Sequence, residues 1–125
     1  MERMADPQLP RERELPVDRI LRLVGLGIRG RGAVVGVERV RESAKTGKLA
    51  FAVVASDASQ NSLDKLLPLL RARHINFIEV PSAAALGAVA GRDQAVAIGV
   101  LDRDLARGIR ALTYSGADRD TEEVV

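Results

Sequence analysis

The sequence contains no cysteine and no tryptophan, and only one tyrosine, two phenylalanines and one histidine among its 125 residues. The missing cysteine excludes disulfides, thiolate nucleophiles and Cys-based zinc sites. With 2% aromatic against 46% hydrophobic residues, the core has to be aliphatic. Such cores suit α/β proteins, whose buried strands take β-branched residues. The same scarcity argues against base stacking on exposed rings, so an RRM or OB-type reader is not expected. No apolar run approaches the ~20 residues of a membrane-spanning helix. The opening MERMADPQLPRERELP has no hydrophobic signal segment, which points to the cytoplasm.

What is present suits one domain with a single core. Net charge is only +2 despite a pI near 9.5, so the distribution of charge says more than its sum. Eight cations fall early: Arg19, Arg22, Arg29, Arg31, Arg39, Arg41, Lys45 and Lys48, opposed within that stretch by Glu38 and Glu42. The end of the chain reverses this, with Asp118, Asp120, Glu122 and Glu123 against Arg119. The basic stretch is either a solvated face or a binding face for a phosphate-rich partner.

Residues 1–15, charged and carrying Pro7 and Pro10 without an apolar period, read as a disordered arm. Pro16 and Asp18 open a helix with Val17, Ile20, Leu21 and Val24 on one face. It closes among the four glycines of GLGIRGRG. A brief strand at 33–35 leads to a second helix from Gly36, with Val37, Val40 and Ala44 inward and Arg39, Arg41, Glu42 and Lys45 outward. Gly47 ends that helix as a C′ residue. The run 49–55 has no polar alternation and reads as a central strand covered on both faces, ending at Ser56 and Asp57. A third helix follows with Leu63, Leu66, Leu67 and Leu70 as its stripe; Pro68 inside it predicts a kink or a late start. Residues 76–80 form a short strand. Ser82 caps an Ala-rich helix ending at Gly91, 95–100 is the last strand, and Asp102 caps a helix reaching about Leu112. The domain therefore spans 16–112, with 113–125 a disordered acidic tail. Regular alternation of helix and strand predicts an α/β fold, a three-layer α/β/α sandwich around a mixed four-stranded sheet. Phe51, Val53, Val54, Leu63, Leu67, Leu70, Ile78, Val96 and Ile98 are its expected buried residues.

Gly25-Leu26-Gly27-Ile28-Arg29-Gly30 spells GxGxxG, but a dinucleotide site needs that pattern between a strand and a helix start. Here it closes a helix, and is either a flexible terminus or a loop whose amides and arginines meet phosphates. His74, following Arg71 and Arg73, suits a helix C-terminus better than catalysis. Ser56 and Asp57 stand where α/β active sites often lie, yet such residues more often cap helices. No HExxH, GxSxG or GxxxxGK[ST] occurs. No catalytic residue, metal ligand or cofactor is expected. Arg39, in the first turn of the second helix, can join free amides in holding an anion, and Arg29 and Arg31 in the preceding loop are expected on the same edge.

Taken in order, Gly25-Leu26, Gly36, Gly47-Lys48, Ala55-Ser56-Asp57, Leu67-Pro68-Leu69-Leu70, Leu86-Gly87 and Gly91 resemble the kink-turn RNA-binding family of archaeal and eukaryotic large-subunit ribosomal proteins. The resemblance runs from about Leu21 to Ile109 and is closest to small bacterial members of the YlxQ type. It implies an α/β/α sandwich without catalysis that binds structured RNA, in a ribosomal or translational setting, as a monomer. It also implies a site in two parts: the glycine loop and first helical turn at 36–39, and the loop at 92–95. The candidate RNA-binding residues are Arg29, Arg31, Gly36, Glu38, Arg39, Glu42, Ser59, Leu63, Arg92, Gln94 and Ala95. Family members carry Gly-x-Asn-Glu, which reads sheared G·A pairs, with a Lys three residues after the Glu. This chain has Gly36-Val37-Glu38-Arg39, with Glu42 at the lysine's place and Val34-Val35 where a basic pair usually precedes the glycine. A protein-interaction adaptor that has lost RNA binding is the alternative, and a flavodoxin-like nucleotide-binding enzyme a third.

Overall fold

The computed structural model describes residues 17–114. The expected N-terminal arm and the acidic residues from Asp118 onward lie outside the described residues. Within them the order is α1 (Val17–Arg29), β1 (Ala33–Val35), α2 (Val37–Lys45), β2 (Phe51–Ala55), α3 (Gln60–Ala72), β3 (Phe77–Val80), α4 (Ala83–Ala90), β4 (Ala97–Val100) and α5 (Arg103–Tyr114). The strands make one sheet in the order β1-β4-β2-β3. β4 runs antiparallel to both its neighbours, while β2 and β3 are parallel and joined through α3. This is the expected mixed sheet, with the last strand inserted between the first two.

Alternation along the strands divides the core in two. Phe51, Val53, Ile98 and Val100 face α1, α4 and α5, where they pack with Ile20, Val24, Leu86 and Ile109. Ala52, Val54 and Ala97 face α2 and α3, meeting Val40, Ala44, Leu66 and Leu70. All residues of β2 and β4 are buried, which explains why neither strand alternates in sequence: each has helices on both faces. The result is the expected α/β/α sandwich. Among the described residues no helix is long and apolar enough to cross a membrane.

Several local expectations need correction. Leu63, Leu67 and Val96 are half-buried, not core. Leu63 stands in the first turn of α3, where the sheet no longer covers it, and Val96 precedes β4 at the sheet's end. Leu66 and Leu70 form the covered line of α3 instead. That helix starts early, at Gln60, and continues past Pro68. Proline has no N–H for the Asp64 carbonyl, and in the same turn Arg41 Nη1 donates to the Lys65 carbonyl. The glycine run is not a loop: Gly25 and Gly27 lie inside α1 and are buried. A Cβ at Gly27 would strike the Leu105 side chain, so its smallness lets α1 approach α5. The last helix includes Thr113, buried with its hydroxyl donating to the Ile109 carbonyl at 2.9 Å, and runs to Tyr114.

Capping was legible. Ser82 Oγ accepts from Ala85 N–H at 3.0 Å, Asp102 Oδ1 accepts from Leu105 N–H at 2.9 Å, and α4 ends at Gly91 in the left-handed region. His74 does close α3, but through its backbone: it sits at φ 57 and its N–H donates to the Arg71 carbonyl at 3.1 Å.

Val54 is fully buried between β2 and the α2–α3 layer. An unpaired carboxylate there costs several kcal/mol, against a total stability of roughly 5–15 kcal/mol for a domain. Val54→Asp is expected to abolish the cooperative melt seen by circular dichroism; a melt like that of the parent would contradict this account of the core.

Candidate functional site

One end of the sheet gathers four connections: β1–α2 at Gly36, β2–α3 at 56–59, β3–α4 at Pro81 and Ser82, and α4–β4 at 91–96. Backbone hydrogen bonds stitch them together. Gly36 N–H donates to Ala97 O at 2.9 Å, Ala55 N–H to Val96 O at 2.8 Å, Ser56 N–H to Val80 O at 2.7 Å and Ala95 N–H to Ala83 O at 2.9 Å. Asp57 adds a side-chain brace, its Oδ1 accepting from Ala83 N–H at 2.9 Å. Asp57 thus serves a helix start, as the sequence suggested, but the helix is α4, whose first residue lies 26 residues along, and the parallel β2–β3 pairing brings it there.

Three helices begin at this edge, and they are treated differently. Ser59 Oγ accepts from Ser62 N–H at 3.1 Å at the start of α3. Ser82 and Asp57 both serve the start of α4. The start of α2 has no side-chain cap. Its N-cap residue, Gly36, sits at φ 108, ψ 151, a region essentially closed to residues with a Cβ. That conformation turns the chain sharply from β1 into α2 and leaves the first-turn amides of Val37, Glu38 and Arg39 facing outward without an intrahelical partner. Such amides, at the positive end of the helix dipole, suit an anion.

The predicted residues divide accordingly. Gly36, Glu38, Arg39, Ser59, Leu63 and Ala95 are brought to this edge, with Arg92 and Gln94 behind it along α4 and Glu42 one turn further up α2. Arg39 is exposed and makes no hydrogen bond or ion pair with the described residues, whereas Glu38 leans toward Arg41, its Oε1 lying 3.9 Å from Arg41 Nε. Ser59 is occupied as a cap, and Leu63 packs partly into the core. Arg29 and Arg31 are not on this edge. They precede Ala33, which pairs with Val100, and so stand at the opposite end of the sheet. Arg29 ends α1 and lies back over Gly25, with Nη1 3.8 Å from where a Cβ would be. Arg41, expected outward, is half-buried and ties α2 to α3 through the Lys65 carbonyl.

The model of the ribosomal protein L7Ae/L30e/S12e/Gadd45 family matches residues 19–107. The chain belongs to this family. Its structure superposes on a Bacillus halodurans protein of unknown function with a TM-score of 0.70 and 30% identity, covering 80% of this chain and 98% of that one. It also superposes on the 15.5kD RNA binding protein of Giardia lamblia with a TM-score of 0.66, over 78% of this chain and 86% of that one. At 16% identity, the second likeness is one of fold. No curated protein matches the sequence.

In this L7Ae-type domain the loop at 92–95 is held by a close approach that the sequence signalled only as a glycine in an Ala-rich helix. A Cβ on Gly87 would come within 2.6 Å of Gln94 Cα and 2.7 Å of the Arg92 carbonyl oxygen. The Gly87 carbonyl itself accepts from Arg92 N–H at 2.8 Å. The loop therefore runs back flat along α4 until Ala95 meets Ala83. Two fixed backbones, at Gly36 and at 92–95, thus flank the start of β4.

Nothing lies within 4 Å of a Cβ placed on Gly36, so substitution there meets no steric obstacle and only the backbone conformation resists it. Gly36→Ala is expected to lower stability by about 1–3 kcal/mol, measured by denaturant unfolding. A loss indistinguishable from zero would mean that the edge relaxes and that this conformation is not needed.

Proposed function

We propose that this chain is a non-enzymatic protein that binds structured RNA through the edge built around Gly36, with the loop at 92–95 as the second part of the surface. The observation that carries it is the uncapped start of α2. Of the three helix starts on this edge it alone has no side-chain cap, and beside it stands an exposed arginine whose side chain has no partner among the described residues. Family membership supports the same reading, as does the fold shared with an RNA-binding protein of Giardia lamblia. We place its work in the cytoplasm, as a monomer, on ribosomal RNA or with the translation machinery.

The chemistry of the edge favours backbone over base contacts. Glu38 can accept from a base amino group, but it cannot donate as an amide does. Arg39 is a donor only, suited to a phosphate or to guanine O6 and N7. Where kink-turn binders use an amide and a carboxylate on sheared G·A pairs, this chain offers a carboxylate and a guanidinium. Phosphate contacts of that kind give affinity without sequence choice. Kinked RNA is therefore held by charge, with little preference over an ordinary duplex.

The test compares a kink-turn RNA with an unkinked duplex of equal length by titration at several salt concentrations. Arg39→Ala is expected to weaken both alike and to reduce the salt slope by about one unit. A kink-turn bound far more tightly than the duplex would overturn the backbone-reading mode, and failure to bind either RNA would favour the adaptor alternative.

A further inference from the structure

The end of the sheet opposite Gly36 carries most of the uncompensated positive charge, although the edge just described is the one the fold opens to a ligand. At the Gly36 edge Arg39 and Arg92 are interspersed in sequence with Glu38, Asp57 and Asp93, so positive charge is not concentrated there. At the far end, α2 and α3 finish side by side on one face of the sheet, their helices joined by Arg41 and by shared packing of Ala44, Leu66 and Leu70. Lys45 and Lys48 leave the first helix, and Arg71 and Arg73 the second; all four are exposed. Neither 43–56 nor 65–78 contains an aspartate or glutamate.

Register brings the two pairs together. β2 and β3 are parallel neighbours with Ala52 opposite Phe77. Lys48 lies in the turn that leads from α2 into β2, and Arg73 in the turn that leads from α3 into β3, so both cations stand at the end of the sheet where these neighbouring strands begin. Like charges gathered at one end of the sheet raise each other's energy, and helix dipoles account for only part of the group. Lys45 and Arg71 occupy last turns, where a cation is favoured. Lys48 lies beyond Gly47, outside α2, and Arg73 is the C-cap residue of α3. Arg71 stands with its guanidinium carbon 5.8 Å from the Phe77 ring centre, while the side chains of Lys45, Lys48 and Arg73 make no hydrogen bond or ion pair with the described residues. Carboxylates do occur across the sheet at this end, but they are engaged: Asp102 caps α5 and Asp104 pairs with Arg107 at 3.1 Å.

We propose that Lys45, Lys48, Arg71 and Arg73 form a second RNA-contacting surface, which takes the phosphate backbone of a duplex segment while the Gly36 edge holds another part of the same RNA. The inference rests on the RNA-binding reading above and adds a place and a geometry to it. The two surfaces are separated by the length of the sheet, roughly 17 Å for the five residues of β2 plus the turns at either end. A folded RNA spans that distance; a short single strand held at Gly36 does not.

The experiment uses the full chain and two RNAs, a duplex long enough to reach both ends and a short single strand. The variant Lys45→Gln/Lys48→Gln/Arg73→Gln leaves Arg71 on its ring and removes three unpartnered charges. With each lost duplex phosphate contact worth about 0.9 in log–log salt slope, loss of all three should lower the slope on the duplex by between about two and three units and weaken binding at low salt about tenfold or more. The short strand should be little affected. Thermal melting checks that the variant is folded, and the charge-conserving Lys45→Arg/Lys48→Arg/Arg73→Lys protein should keep the parent slope. An unchanged duplex slope in a folded triple-Gln protein, while Arg39→Ala still lowers it, would overturn the second surface and leave the Gly36 site standing. Absence of binding by the parent would overturn both. Polyglutamate competing for the surface as well as duplex RNA of equal charge would assign it to an acidic protein partner and overturn the RNA assignment.

Discussion

The structure depends on one insertion: β4, the last strand in the chain, lies between β1 and β2. Its antiparallel ladders to both neighbours bury every residue of Ala97–Val100 and close the sheet's centre. The same strand fixes the candidate site, because its first residues bond to both halves of the edge. Ala97 O takes the Gly36 amide and Val96 O takes the Ala55 amide. Had β4 added outside β3, Gly36 and the loop at 92–95 would be separated by the width of the sheet. Folding must therefore bring residues 33–35 and 97–100 together before the edge exists, a long-range pairing whose loop-closure cost is met only once the two cores form.

Around that strand the helices divide their labour. Those facing Phe51 and Val53 hold the fold by area, with little polar chemistry beyond caps. The α2–α3 layer does more, since one helix presents an uncapped N-terminus at one end of the molecule and a cation at the other. Arg41 makes this layer rigid, spanning from α2 to the turn of α3 that Pro68 has loosened. An arginine that reads in sequence as part of a basic outer face is thereby taken out of the ligand-binding inventory. Its neighbour Arg39, two positions earlier, rotates by about 200° around the helix and stays exposed.

What the sequence disclosed follows from which signals are local. The caps at Ser82 and Asp102 and the C′ glycine at 47 are local and stand where pattern placed them, and the aliphatic runs 49–55 and 95–100 hold the two central strands, each of which starts two residues later than the run. The errors arose where tertiary contact decided. Gly25 and Gly27 look like a loop but are helical because α1 needs a close approach to α5. Arg29 and Arg31 look adjacent to Gly36, yet even a three-residue strand carries the chain to the other end of the sheet. Asp57 does serve a helix start, as its type suggests, but which helix is decided by the parallel crossover that returns α4 to it. The two parts of the candidate edge were thus available from sequence only through the family resemblance. The brace holding it, and the segregation of charge to the far end, depend on strand order, which no local pattern records.

Family membership and ligand preference are separable in this fold for a physical reason. The backbone at Gly36 is set by a conformation requiring glycine and by a hydrogen bond to β4, and the loop at 92–95 is set by the missing side chain of Gly87. None of these constraints uses the side chains at positions 37–39. Glu38 and Arg39, both exposed, can therefore replace other residues without moving the frame that presents them. The glycines and aliphatic runs that identify the family report on the frame. The three side chains on the exposed turn decide what the frame reads, and here they exchange an amide and a carboxylate for a carboxylate and a guanidinium. That exchange removes a donor suited to a base edge and adds one suited to phosphate. In the proposed RNA-binding mode, that exchange shifts the interaction from base edges toward phosphate charge.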